Sequence, residues 1–264
     1  MQLPKMAPVK QHFASTALAD VAGAVRTELS AAGLATGIAP GARIAVSSGS
    51  RGIANIPLIT RTVVDIIKEA DGEPFLLPAM GSHGGATAEG QIGVLASYGI
   101  TEESMGCPVA ATMDVVEVDR LADGTPVLLN RLATEADGVV LINRIKPHTS
   151  FRGVFESGLM KMMTIGLGSH KGATIAHAGG AESLARLIPA WGQAILDKAP
   201  ILMGLAIVEN AYEQTMCVEA LNPSQFQSRE PQLLEQARAV MPRILVQGID
   251  LLIIEQIGKN ISGT

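Results

Sequence analysis

The sequence predicts an α/β fold, a mainly parallel sheet with helices on both faces, and three observations carry that prediction. Short apolar runs alternate with longer stretches of helical spacing, the order expected of strands joined by crossover helices. Glycine is frequent (28 residues) and aromatics are scarce (3%), which suits many tight strand-to-helix turns. Hydrophobic residues make up 47% of the 264 and charged residues 17%, enough for a sizeable core and too apolar for a disordered chain.

The elements follow in order. Residues 43–47 (RIAVS) read as a short buried strand entering the small-residue turn SGSRG. Residues 56–70 carry Ile59, Val63, Ile66 and Ile67 at helical spacing. The apolar run 75–80 reads as a second strand before GSHGGAT, and 88–98 as a helix capped by Thr87, with Glu89 in its first turn, and stopped at Gly99. Residues 115–118 and 127–129 are strand candidates around the turn ADGT. Residues 138–143 (GVVLIN) form an apolar strand that runs into RIKPHTSFRG. A glycine-punctuated stretch follows, then a helix over 181–196, a strand over 201–208, a helix over 231–240 and a last strand over 251–255.

Composition excludes several function classes. The net charge is −5 with no Lys/Arg block, so the electrostatic footprint of a nucleic-acid binder is missing. Two cysteines, Cys107 and Cys217, cannot supply a four-Cys zinc site or ordinary iron–sulfur ligation. The start MQLPKMAPVKQHF has no continuous apolar core of a signal peptide. No apolar run approaches the ~20 residues of a membrane helix. A cytoplasmic protein is expected. The ending GKNISGT is turn-like and comes straight after a predicted strand, so the sequence reads as cut within a longer protein.

Polar chemistry gathers in the turns. Four of the five histidines, His83, His148, His170 and His177, lie in glycine- or proline-marked turns, and His12 in the N-terminal stretch is given no role. Turns SGSRG, GSHGG and RIKPH each follow a predicted strand. In an open parallel sheet such turns meet at one edge, where ligands bind. Arg51 there can clamp a carboxylate in bidentate fashion, or simply sit at the surface. GSHGGAT, with Ser82 and Gly84 beside His83, can cradle phosphate through backbone amides, or be no more than a tight turn. It is not G-x-G-x-x-G, and no phosphate-binding G-x-x-x-x-G-K-[ST] occurs. The densest signal is NRIKPHTSFRGVFESGLMKMMTIGLGSHKGATIAHAGG, a basic, glycine-rich path (Gly158 among its glycines) suited to an anionic cofactor. Lys161 stands between Met160 and Met162. Desolvated there it is a nucleophile or attachment point; at a helix edge it snorkels.

The ordered set GSRGIAN, AMGSHGGAT and KPHTSFRG…ESGLMKMMTIGLGSHKGA resembles the N-terminal domain of the lactate racemase family. The resemblance spans about residues 43–180 and implies that residues 1–264 are the N-terminal domain of a two-domain enzyme whose C-terminal domain is missing. It implies that Arg51 binds a substrate carboxylate and that His83 and His148 are two acid/base histidines. It implies that Lys161 holds a nickel-pincer nucleotide (a pyridinium bis-thio-acid mononucleotide) through a thioamide, with Ser82, Gly84 and Gly158 as further cofactor contacts. His177 is then the protein ligand to nickel, and His170 is left without a role. The implied reaction is racemisation or epimerisation of a small 2-hydroxy acid by reversible hydride transfer. The implied partners are that acid and the cofactor-making enzymes, and self-association stays open. Two departures stand out: Ser48-Gly49-Ser50-Arg51 replaces the family's D-x-T-R, and the His148–Lys161 interval is longer. A different class of reading is a non-catalytic domain that holds an anionic nucleotide or metal in the same groove. A metal hydrolase using His83, His148 and His177 finds no H-E-x-x-H to support it.

Overall fold

A computed structural model describes residues 7–256. The readings of GKNISGT and of the first six residues lie outside that range. Five strands form one sheet in the order β2-β1-β5-β6-β7. They are β1 (Arg43–Ser48), β2 (Glu73–Pro78), β5 (Gly138–Arg144), β6 (Ile201–Glu209) and β7 (Thr215–Leu221). β1 pairs in parallel with β2 and with β5, and β5 with β6; only β7 at the edge is antiparallel. The mainly parallel prediction is met. β3 (Val115–Arg120) and β4 (Pro126–Asn130) pair as a separate antiparallel hairpin around the ADGT turn.

Alternation along each strand builds two cores. Ile44, Val46, Leu76, Val140, Ile142, Met203, Leu205 and Ile207 face one side. That side is covered by α1 (Val21–Ala31), α2 (Ile56–Glu69) and α3 (Ala88–Ser97), with the short α4 (Glu102–Met105) adding Met105. Ala45, Phe75, Leu77, Val139, Leu141, Ala206 and Val208 face the other. There the hairpin, α5 (Arg131–Thr134), α6 (Leu159–Lys161), α7 (Ser169–His177), α8 (Gly180–Lys198) and α9 (Phe226–Val240) pack. With both faces covered, β5 has to be apolar along nearly its whole length, and it is.

Several boundaries and elements differ from the sequence reading. β2 begins at Glu73, so Ala79 and Met80 lie in the following turn rather than in the strand. α9 starts at Phe226, five residues early, because a short turn at Pro223–Gln225 already delivers the chain in helical geometry. Residues 251–255 are not a strand: among the described residues nothing pairs with them, and Leu251 and Ile253 are exposed. Their apolar run resembles a buried strand, but no neighbour supplies a ladder. α1 and β7 were not expected, since both show mixed polar and apolar residues without strong periodicity.

Trp191 on α8 is fully buried against Gly172 and anchors the second core. Trp191→Ala is expected to cost about 3–5 kcal/mol, read as a lower urea midpoint with an unchanged slope; a loss under ~1 kcal/mol would contradict this packing.

Candidate active site

The carboxyl ends of β2, β1 and β5 lie side by side. The chain leaves β1 towards β2 on one side and returns to β5 on the other, so the order reverses at β1. Ligands of open α/β sheets bind at such a reversal. A cavity of about 360 Å³ lies there. Arg51, Ser82, His83, His148, Lys161 and His177 all line it. Six of the eight residues singled out from sequence are therefore brought together. Gly84 and Gly158 are not on its wall. Gly84 backs onto the start of α3, and Gly158 packs against Glu230 and Ile145. His170 is exposed on α7, away from the lining.

Each turn is held by contacts from other elements. The Arg51 turn is fixed by Glu209 at the end of β6, whose carboxylate accepts from the Ala54 amide at 2.6 Å. The same carboxylate forms a buried ion pair with Arg144 at the end of β5. The His83 turn is held by Gln91 of α3, whose side-chain amide donates to the carbonyl of Gly81 at 2.9 Å. Ser50 joins the two turns: its hydroxyl is hydrogen-bonded to Nδ1 of His83, and its carbonyl accepts from the Tyr98 hydroxyl at 2.9 Å.

The lysine segment reaches this edge through an irregular helix. After α6, residues Met162–Gly166 wind as a π-helix, with the Leu167 amide donating to the Met162 carbonyl at 2.8 Å. Short π segments inside helices are frequent at functional sites. Here the widened turn lays Gly166 against the backbone beyond β2. A side chain at Gly166 would meet the Ala79 carbonyl at 2.7 Å, so glycine is what permits the approach. Thr164 ties the turn to α8 through the Ile188 carbonyl at 3.3 Å.

His148 and His177 are set in opposite tautomers by backbone groups. Nδ1 of His148 accepts from the Ser150 amide at 3.1 Å, so the neutral ring carries its hydrogen on Nε2. Nδ1 of His177 lies 2.7 Å from the Ala173 carbonyl, which can only accept, so Nδ1 carries a hydrogen and in the neutral ring the lone pair is on Nε2. A carbonyl that fixes the tautomer in this way is the usual support of a metal-binding imidazole.

The electrostatics favour an anion. Arg51, Arg144, Lys146 and Lys161 line the cavity, and among the described residues no carboxylate does; Glu209, outside the lining, is paired with Arg144. Burial and then the Arg51 charge bring Lys161 down to about 8. Burial and then the Lys161 charge bring His148 down to about 4; Glu156 opposes them, and His177 and Arg152 add smaller lowering effects. Burial also lowers Lys146, with Arg144 adding to it. Among the described residues no three His, Cys, Asp or Glu side chains form a metal-binding group. A metal held by His177 would have to bring its remaining donors with an organic ligand. One imidazole on a wall shared with the largely buried amine of Lys161 differs from the three protein ligands of an ordinary metal hydrolase site.

Sequence reasoning gave no role to Ser50, Arg144, Lys146 or Glu209. Arg144 and Lys146 stood within the basic stretch, but only the fold shows that they line the cavity. Glu209 and Ser50 carried no signal, because their partners lie 155 and 33 residues away.

The family model described as the lactate racemase N-terminal domain matches residues 7–185. Among solved structures, the lactate racemase apoprotein from Thermoanaerobacterium thermosaccharolyticum is similar in fold, with a TM-score of 0.56 and 15% identity. The match covers 80% of this chain and 54% of that one, so the chain spans about half the length of that relative. No curated protein matches the chain. Among the described residues no helix is long and apolar enough to cross a membrane.

The low His148 value has a consequence for stability. Its folded pKa lies below that of the unfolded chain, so between about pH 6.5 and 4 the unfolded state binds more protons. Stability contributed by the neutral ring is present above pH 6.5 and is lost as pH falls towards 4. The urea midpoint of His148→Gln should therefore fall less steeply than wild type across that window; parallel curves would refute the assignment.

Proposed function

Because the chain belongs to the lactate racemase N-terminal domain family, we propose that it carries the cofactor side of a cytoplasmic racemase or epimerase of small 2-hydroxy acids. The observation that supports this reading most strongly is the single cavity shared by Arg51, His83, His148, Lys161 and His177. A nickel-pincer nucleotide fits these residues: Lys161 offers an amine that is partly uncharged near pH 8, and His177 a bare Nε2. When bound, that group supplies the acceptor that takes hydride from the substrate carbon and returns it.

The chain's own residues do the rest. The Arg51 guanidinium binds the substrate carboxylate, and the surrounding positive charge draws it in. One histidine takes the proton of the hydroxyl and the other serves the opposite enantiomer, whose hydroxyl lies elsewhere. His148 presents Nε2–H and is therefore a proton donor as it stands. To accept at Nε2 its Nδ1 must carry the hydrogen and release the Ser150 amide. A bound carboxylate beside it counteracts Lys161 and His177 and raises its proton affinity. His83 is steadied by Ser50, whose hydroxyl can follow a change of tautomer.

A second reading, a binding domain without turnover, draws on the chain's covering only 54% of the solved relative. One experiment separates the two. The longest available form of the protein is co-produced with cofactor-making enzymes, analysed for nickel and for added mass on the Lys161 peptide, and assayed on 2-hydroxy acids with chiral detection. The proposal expects stoichiometric nickel, modified Lys161 and inversion of at least one acid, with His83→Ala or His148→Ala lowering turnover about 10²–10⁴-fold. Loaded protein that inverts none favours the binding reading, and unmodified Lys161 without nickel defeats both cofactor assignments.

A further inference from the structure

α9 does not touch the cavity, yet it places two polar groups under it. Its apolar face, Phe226, Leu233, Leu234 and Ala237, is enough to pack it on the sheet. Glu230 nonetheless sits in that buried layer with 1% of its surface exposed. One carboxyl oxygen accepts from the Met160 amide at 3.1 Å, at the residue before Lys161. The other oxygen is buried beside Gly158 with no hydrogen-bond partner among the described residues, and a side chain at Gly158 would meet it at 2.1 Å. A leucine there would pack without the desolvation cost of a carboxyl group. Burial pushes Glu230 up to about 8 despite the amides of Met160 and Leu159.

Two turns further along α9, Arg238 pairs with Glu156, whose side chain is completely buried. Glu156 accepts from the His148 amide at 2.6 Å and from the Gly153 amide at 3.2 Å. It thereby closes the loop that carries His148. Both contacts run from α9, which lies beyond the residues matched by the family model.

We propose that α9 positions the reactive groups of the cavity from behind: Glu230 holds the turn that carries Lys161, and Arg238, through Glu156, holds the loop that carries His148. Glu230 and Arg238 are positioning residues and touch no reacting atom. The importance of the inference rests on the functional reading of Lys161 and His148, but its contacts belong to the protein without any ligand.

The test therefore uses the unloaded protein. Lys161, faced by Arg51, Glu156 and His148, is acylated with acetic anhydride across a pH series and quantified on its peptide. Amide hydrogen exchange is followed on peptides covering 148–153 and 159–163. Glu230→Leu packs but leaves the Met160 amide without its acceptor, so the turn should open to water and the Lys161 midpoint rise by a unit or more. A one-unit rise cuts the free-amine fraction at pH 8 from about half to about a tenth. Glu230→Gln, which keeps an acceptor for the Met160 amide, should restore the wild-type midpoint. Gly158→Ala displaces the same carboxyl from the other side and should move the midpoint in the same direction as Glu230→Leu. Arg238→Met should speed exchange over 148–153 tenfold or more and leave the Lys161 midpoint where it is, while Arg238→Lys keeps exchange slow. An unmoved midpoint in both Glu230→Leu and Gly158→Ala overturns the proposal. So does a general loosening in which each variant disturbs both sites alike. Either result leaves the racemase reading untouched, because neither measurement depends on cofactor or turnover.

Discussion

Parallel pairing of β2, β1 and β5 is the constraint on which the rest of the cavity depends. In a parallel ladder the strands end at the same edge, so the turns that follow them share one space. Arg51, His83 and His148 come from three such turns, separated by up to 97 positions in the chain and brought together by the sheet alone. Antiparallel pairing of β1 with either neighbour would send one of those turns to the far edge. The carboxylate of Glu209 then locks the arrangement, since it binds the end of β5 through Arg144 and the Arg51 turn through Ala54. Removing Glu209 would leave Arg144 buried without its partner, a costlier change than the loss of an exposed pair.

Charge and tautomer turn this geometry into chemistry. Lys161 is uncharged enough to react because it is buried beside Arg51, and its own charge helps to keep His148 neutral. Burial holds these pKa values down and the neighbouring positive charges add to it; in the proposed function those charges draw in an anion that offsets their share. The two backbone contacts at His148 and His177 add direction, one ring offering a hydrogen and the other a lone pair.

The sequence made much of this legible. The apolar runs of β1, β5 and β6 stand out because strands covered on both faces need apolar residues at most positions. Lys161 stood out between two methionines, and the histidines stood out through the glycines around them. What stayed hidden depends on distance along the chain. Ser50 and Glu209 look like ordinary polar residues until the sheet brings His83 and Ala54 to them. The π-helix at Met162–Gly166 has no composition of its own, because its extra residue per turn is fixed by packing on Ala79 and Ile188. Residues 251–255 misled in the opposite direction: their pattern is that of a strand, but strand formation also needs a neighbour.

The most direct measurement is a crystal structure of the protein after loading with the nickel-pincer nucleotide. The account predicts continuous density from Nζ of Lys161 to a metal bonded to Nε2 of His177, with Nδ1 still donating to the Ala173 carbonyl and Arg51, His83 and His148 around the same cavity. Metal bound elsewhere, or a His177 ring turned away from it with Lys161 unmodified, would contradict the account.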